Sequence, residues 1–457
     1  MSESTPFSRR RAQLALVALV GACALGLGAP VAEAKPPTGL DTGDTAWMLT
    51  ATALVLLMTP GLSFFYGGMV RNKNVLSTML QSFVAMSLVS LVWVAFGFSL
   101  AFGDSMGGIV GDPRTYWMLS GVGAAPEPTL AKTIPLALFA LFQLKFAIIT
   151  PALITGSFAE RVRFSSYMIF MVLFTVVVYC PLAHMTWHPN GLLRQWGVLD
   201  FAGGTVVHMS AGFAALTGAV FLGRRQDHQP GLVHTPANIP YVLLGTGMLW
   251  FGWFGFNAGS ALAASGTAVQ AFLTTNTASA AAMFAWLVVD GLRGVRPSAM
   301  GACIGAVVGL VAITPAAGFV SVGSSVAIGA IAAGISNLAA HWKSKSQLDD
   351  TLDVFPCHGV GGIVGMVATA ILADKRINPD GADGLLYGGT ALFKTHILAL
   401  LAVGAAVIAL SWLLYKLVDL ISPMRVSHEQ EQLGLDISQH GESVRAEDEL
   451  KTQPAAT

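Results

Sequence analysis

The sequence predicts an all-α polytopic membrane protein of about eleven transmembrane helices, built as an inverted five-plus-five repeat with one extra helix. Three observations carry that expectation. Of the 457 residues, 54% are hydrophobic and only 11% charged, where a soluble domain carries about a quarter charged. Mean hydropathy is +0.65. Apolar runs long enough to cross a bilayer recur along the chain, and the connections between them alternate in charge as the positive-inside rule requires.

The first 34 residues read as a signal peptide. Arg9, Arg10 and Arg11 form its positive start, 14–27 its apolar centre, and Ala32-Glu33-Ala34 a small-residue cleavage site. The transmembrane domain is expected over 35–421. Its apolar runs lie at 46–69, 75–102, 133–158, 164–183, 203–222, 238–260, 268–289, 298–319, 321–341, 354–373 and 392–419. Alternate loops are short and basic, with Arg71/Lys73, Arg161/Arg163, Arg224/Arg225, Arg293/Arg296 and Lys343/Lys345. The opposite loops are longer or poor in net positive charge, so the N-terminus is expected outside the inner (cell) membrane after cleavage. The tail 422–457 is then cytoplasmic. It is polar, partly acidic and too short for an independent domain. The formal net charge of zero argues against a nucleic-acid partner.

One stretch organises the rest: Asp200-Phe201-Ala202-Gly203-Gly204-Thr205-Val206-Val207-His208. An acid opening an apolar helix and an imidazole inside it are both expensive in a membrane and call for a function. Asp353-Val354-Phe355-Pro356-Cys357-His358 repeats the theme. Entered from opposite faces, the two helices would carry His208 about 12 Å and His358 about 7 Å inward at helical rise. Both imidazoles then approach the midplane, where inverted repeats place their binding sites. A histidine pair there can relay a proton or line a narrow apolar lumen with nitrogens. Asp200 has two readings, direct cation binding or capping of the helix N-terminus. Its Asp-Phe-Ala-Gly-Gly context favours the cap.

Aromatic residues cluster near the expected outer face: Trp187 at the start of a loop, Trp250, Phe251, Trp253, Phe254 and Phe256 ahead of Asn257 and Ser260, and Phe142 and Phe146 one turn apart. They suit either an interfacial belt or a cation–π cage for a small, poorly solvated cation. Cys23, Cys180, Cys303 and Cys357 lie in apolar runs without metal-ligand spacing and read as packing residues. The other histidines (His184, His188, His228, His234, His341, His396, His428 and His440) read as surface or interfacial polar residues. Glu160 and Asp290 are expected to pair with Arg161 or Arg293. No nucleophile–base pair, metal site or cofactor motif stands out, so an enzyme is not expected.

Several stretches together resemble the ammonium transporter (Amt/MEP/Rh) family. They are 200–224, Gly252–Ser260, Pro60–Gly68, Ala159–Phe164, Asp353–Gly365, and the tail pieces Gly434-Leu435-Asp436 and His440-Gly441-Glu442. The likeness runs from about residue 46 to 442, in order. It implies a homotrimer with one pore per subunit, carrying ammonium or ammonia, with methylammonium as an analogue. By family analogy Trp187, Phe146 and Ser260 form an outer ammonium site, with Phe142 and Trp253 beside it and Asp200 shaping it. Phe146 and Phe256 would stack as a gate above the His208–His358 pair. Leu62, Leu249 and Val354 would line the lumen. The tail around Gly434 and Asp436 would contact the neighbouring subunit and help a PII-type signalling protein control the pore. Lys145 departs from the uncharged residue expected beside the gate. At about 100° around the helix from Phe146 it should point sideways. The expected activity is selective, electrogenic uptake: ammonium gives up its proton near the gate and ammonia crosses. A neutral gas channel, an ammonium sensor and a proton-coupled carrier of organic cations are the rival readings.

Overall fold

The computed structural model describes residues 39–231 and 234–444. The expected signal peptide at 1–34 and the tail beyond 444 lie outside the described residues. Eleven apolar helices follow one another: α1 Thr42–Met69, α2 Asn72–Phe102, α3 Leu136–Ser157, α4 Phe164–Gln195, α5 Gly204–Leu222, α6 Ile239–Gly259, α7 Gly266–Leu292, α8 Ala299–Ile313, α9 Val322–Ser344, α10 Phe355–Leu372 and α11 Thr390–Ile421. Ten are long and apolar enough to cross a membrane, and α8 is shorter. The run expected at 298–319 therefore ends early. Thr314 still holds helical dihedrals, but Pro315 after it has no backbone N–H to continue the ladder. Turns cover 314–319 instead. On the opposite side of the expectation, the main helical segment of α4 runs on through Trp187, which closes it, and a short turn Leu192–Gln195 follows. The loop after α2 carries a small antiparallel ribbon, Ser105–Met106 against Val110–Gly111.

Corresponding helices of the two halves meet at glycines. A Cβ on Gly245 of α6 would lie 2.4 Å from the Phe65 nitrogen and 2.6 Å from the Gly61 oxygen of α1. A Cβ on Gly212 of α5 would lie 2.2 Å from the Gly359 nitrogen of α10. Small residues let backbones approach in this way where lipid supplies no hydrophobic drive for helix association. The N-terminal end of α10 lies against the C-terminal ends of α3 and α5: Thr351 N donates to Ser157 O at 2.9 Å and Arg225 pairs with Asp349 at 2.9 Å. The two central helices thus run antiparallel, as an inverted repeat demands.

The acids that open them correct the sequence reading. Asp200 accepts from the backbone nitrogens of Gly203, Gly204 and Thr205 at 2.8, 2.6 and 2.7 Å, and from the Thr205 hydroxyl at 2.5 Å. Its counterpart is Asp350, which accepts from the Val354 and Phe355 nitrogens at 3.2 and 2.8 Å. Asp353 does not cap the helix. It sits at φ +57 and pairs with Lys343 at 2.7 Å. The spacing from acid to histidine is then the same in both halves, Asp200 to His208 and Asp350 to His358. Both helices also begin with a π-helical turn, Gly204–Met209 and Phe355–Val360.

The basic loops at one end of the bundle form a lattice of paired charges. Glu160 pairs with Arg71 at 2.5 Å and Arg225 at 2.8 Å, and Arg225 also takes Asp349. The expected pairings differ here too, because Arg161 turns its guanidinium to backbone oxygens of Gly223 and Asp349. Asp290 accepts from Asn337, which in turn accepts from Arg293. The tail lies across this lattice on its own chain: Asp436 accepts from the Leu76 and Ser77 nitrogens at the start of α2, at 3.1 and 2.8 Å. Gly434 at φ +102 lets the tail pass against Lys73.

Three expectations follow. Gly212→Ala drives a methyl into the Gly359 backbone and costs about 1–3 kcal/mol, read as a lower melting temperature in detergent. Asp350→Ala removes two buried caps, whereas Asp353→Ala breaks one partly exposed pair, so the first lowers the melting temperature more. Burial would raise the Glu160 carboxyl, but Arg225 and Arg71 together hold it below the usual range. A lowered folded pKa adds stability that is present at neutral pH and lost on acidification. Melting of Glu160→Gln against wild type should show a deficit at pH 7 that shrinks below roughly pH 4.

Candidate functional site

Two cavities meet at a pair of phenylalanines. The outer one is an open vestibule of about 750 Å³ whose walls include Gln143, Phe146, Thr186, Trp187, Asp200 and Ser260. The inner one is a slot of about 10 Å³, room for about one water molecule. Its walls are almost wholly apolar: Met58, Leu62, Phe65, Leu249, Trp253 and Phe256 among them, with His208 and His358. Phe146 faces the first cavity and Phe256 the second, and their rings stack at 4.1 Å and 23°. That stack stands where the two linings come together.

Each wall is held by the local sequence. Trp187 ends the main helical segment of α4 and donates its indole N–H to the Asp200 carbonyl at 3.1 Å. Its ring meets Phe146 edge-on at 5.8 Å, and Phe142 meets Phe146 edge-on at 5.0 Å. The Ser260 hydroxyl donates to the Phe256 carbonyl one turn back, at 2.9 Å, so its lone pairs stay available to a donor. Below the stack, His208 lies flat against Trp253 at 5.3 Å. The Trp253 indole donates to Thr314 at 2.9 Å, which fixes the ring. The His208 and His358 Nδ1 atoms stand 3.3 Å apart. With both rings neutral, one Nδ1 carries the shared proton and the other accepts it. The tautomers then leave one Nε2 as acceptor and the other as donor. The His208 Nε2 has no hydrogen-bond partner among the described residues.

The structure brings together most of the residues singled out from the sequence and separates a few. Trp187, Phe146, Ser260 and Asp200 share the vestibule; Leu62, Leu249, Phe256, His208 and His358 share the slot. Trp253 lines the slot rather than the vestibule, and Phe142 supports Phe146 from behind, fully buried. Val354 is buried outside the slot lining, in the space where a Cβ on Gly156 would meet it, next to Tyr66. Lys145 shares a half-exposed stripe with Leu141, one turn away, and lines neither cavity. His184 and His396 are fully buried and not on the surface. His184 bonds Ala101 O and Ser105, and His396 bonds Met366 O and Leu199 N, each bridging helices to loops. Gln143, Thr186 and Thr314 were not singled out from the sequence. Their neighbours Phe146 and Trp187 were the available signal for the first two.

Comparison with known proteins identifies the family. The model of the Ammonium Transporter Family matches residues 46–445. An ammonium transporter of Bacillus subtilis (strain 168) is 46% identical over 409 residues, covering 88% of this chain and 98% of that protein. The Amt1 ammonium transporter of Archaeoglobus fulgidus is 42% identical over 403 residues, covering 88% and 99%. Among solved structures, Mep2 of Candida albicans superposes with a TM-score of 0.82 at 37% identity, covering 91% of this chain and 93% of that one. A structure described as a sensor Amt protein gives 0.79 at 29% identity, covering 87% and 98%. On the family match along most of its length and the shared fold of these relatives, the chain belongs to the ammonium transporter family.

Proposed function

We propose that the protein takes up ammonium electrogenically, by recruiting the cation at the vestibule, stripping its proton near the Phe146–Phe256 stack and passing ammonia through the slot. The observation that carries this reading is the histidine contact: two Nδ1 atoms 3.3 Å apart in a slot otherwise lined by carbon. Trp187 and Phe146 offer ring faces to a cation, and Ser260 offers a hydroxyl acceptor. Asp200 shapes the site through Trp187 and the start of α5. Its own oxygens are occupied by neutral donors, so it contributes field more than a ligand. A full charge in the slot would lose its hydration with few replacements, so the neutral form crosses more easily. Potassium has no proton to give up and stays behind. The histidine pair then carries the released proton.

The assembly is a homotrimer in the inner membrane, with the mature N-terminus outside and the tail in the cytoplasm. The tail, clipped onto α2 through Asp436, presents a cytoplasmic surface on which a PII-type signalling protein would act. Solid-supported-membrane currents in proteoliposomes test the transport reading. Wild type should give a transient current on an ammonium pulse and none on a potassium pulse. His208→Ala with His358→Ala should abolish the current or open the pore to potassium. An undiminished, potassium-excluding current in that double variant removes the relay role. Ammonia flux without any current in wild type favours a neutral gas channel instead.

A further inference from the structure

We propose that the joint end of α7 and α9 holds the headgroup of an anionic phospholipid, whose acyl chain runs along α9 into a groove between α9 and α10. The inference needs only that the chain spans a bilayer, and it stands apart from the transport mechanism above.

Charge at the basic end of the bundle is mostly matched. Arg71, Arg225, Lys343 and Arg425 each pair with a carboxylate. The loop that leaves α7 and the end of α9 depart from that pattern. Arg296 and Lys345 are exposed, and neither pairs with an acid among the described residues. Arg293 donates to the Asn337 side-chain oxygen instead of to a carboxylate. The nearest acid in sequence, Asp290, is buried and accepts from the Asn337 amide. The charges of Arg293 and Lys345 both reach the His341 imidazole, so the two segments present their cations together. A cluster of unmatched cations where helices leave a membrane is suited to a lipid phosphate.

Next to these cations α9 turns one stripe of large apolar side chains outward. Ile331, Ile335, Leu338 and Trp342 are all between 44 and 81% exposed, and their spacing of four, three and four residues keeps them on one helix face. Trp342 to Ile331 spans about 16 Å of helix, close to one leaflet, half of a hydrocarbon core of about 30 Å. Ile331 and Ile335 also line a groove of about 410 Å³, whose α10 wall includes Val364, Val367 and Ile371. The order along α9 is therefore cations, an indole of the kind found at membrane boundaries, an apolar track and a carbon-lined groove. That is the order of parts in a phospholipid. A neutral lipid would fill the groove equally well and gain nothing from the unmatched cations, which is why the anionic one is the occupant.

Trp342 supplies the readout, because bromine on a lipid chain quenches an indole that it touches. The full chain is reconstituted in phosphatidylcholine vesicles carrying a minor share of brominated phosphatidylglycerol, or the same share of brominated phosphatidylcholine. Trp342 is read as the difference between wild type and Trp342→Phe. Wild-type Trp342 should be quenched more by the anionic lipid. Arg296→Gln with Lys345→Gln should weaken that preference, by roughly five-fold per cation removed at low salt. Neither side chain holds the fold through an ion pair, so the double variant should melt as wild type does. Arg296→Lys with Lys345→Arg keeps both charges and should keep the preference. Equal quenching by the two lipids in wild type overturns the proposal, as does a preference that survives the loss of both cations. No quenching of Trp342 by either lipid means that a second copy or another protein covers this face, which overturns it too. Loss of the preference on adding soluble glycerol phosphate marks a free-anion site and also overturns the lipid. None of these outcomes bears on ammonium transport.

Discussion

Asp200 is the fixed point of the site. Its carboxylate takes three backbone N–H groups and a hydroxyl at the start of α5, and its carbonyl takes the Trp187 indole. One residue thereby sets the aromatic wall of the vestibule and the direction in which α5 delivers His208. Free N–H groups at a helix start buried in protein are costly, and a carboxylate is the strongest neutral-backbone acceptor available for them. Replacing it with an apolar residue would release both the ring and the helix. The inner half solves the same problem with Asp350, on two N–H groups rather than four donors. The Lys343 ammonium bonds the Asp350 carbonyl at 2.7 Å and pairs with Asp353. No cation lies within ion-pair distance of Asp200 among the described residues. The two mouths share a cap geometry and differ in charge.

That shared geometry explains why the histidines meet. Each imidazole sits at the same distance in sequence from its capping acid, on helices that run antiparallel and touch through Gly212 and Gly359. The glycine contact sets how close the helices come, and the caps set where along them the rings fall. Neither alone would place two Nδ1 atoms 3.3 Å apart. The π turn at each helix start, where the ladder is re-registered, is a recurrent feature of functional positions.

The order of the fold was legible because lipid-length apolar runs and alternating basic loops are properties of composition, which single sequences carry. The histidine pair was legible because two imidazoles recur behind acids in matched stretches, which a lone buried histidine such as His396 does not. What escaped depended on tertiary contact. Asp353 and Asp350 look alike in sequence, and only the φ of +57 at Asp353 and the Lys343 pair reveal that the earlier acid caps the helix. Trp253 and Phe256 look like one aromatic cluster, yet Trp253 lies beneath the stack with its indole bonded to Thr314, just past the end of α8 and distant in sequence. The surface reading of His184 and His396 failed for a related reason: carbonyls from other segments satisfy both rings, and no local pattern encodes that.

The contrast between the two cavities is what gives the proposed mechanism its selectivity. A vestibule of about 750 Å³ leaves a cation most of its water, so attraction there needs only ring faces and a few oxygens. The slot of about 10 Å³ leaves it almost none. The chemical decision, proton lost or passage refused, therefore falls at the Phe146–Phe256 stack, the one boundary between wet and dry. The unpartnered His208 Nε2 lies on the dry side of that boundary. A neutral molecule with a lone pair and N–H donors can satisfy it in passing; a bare metal cation would have to shed its hydration for two nitrogens and a wall of carbon.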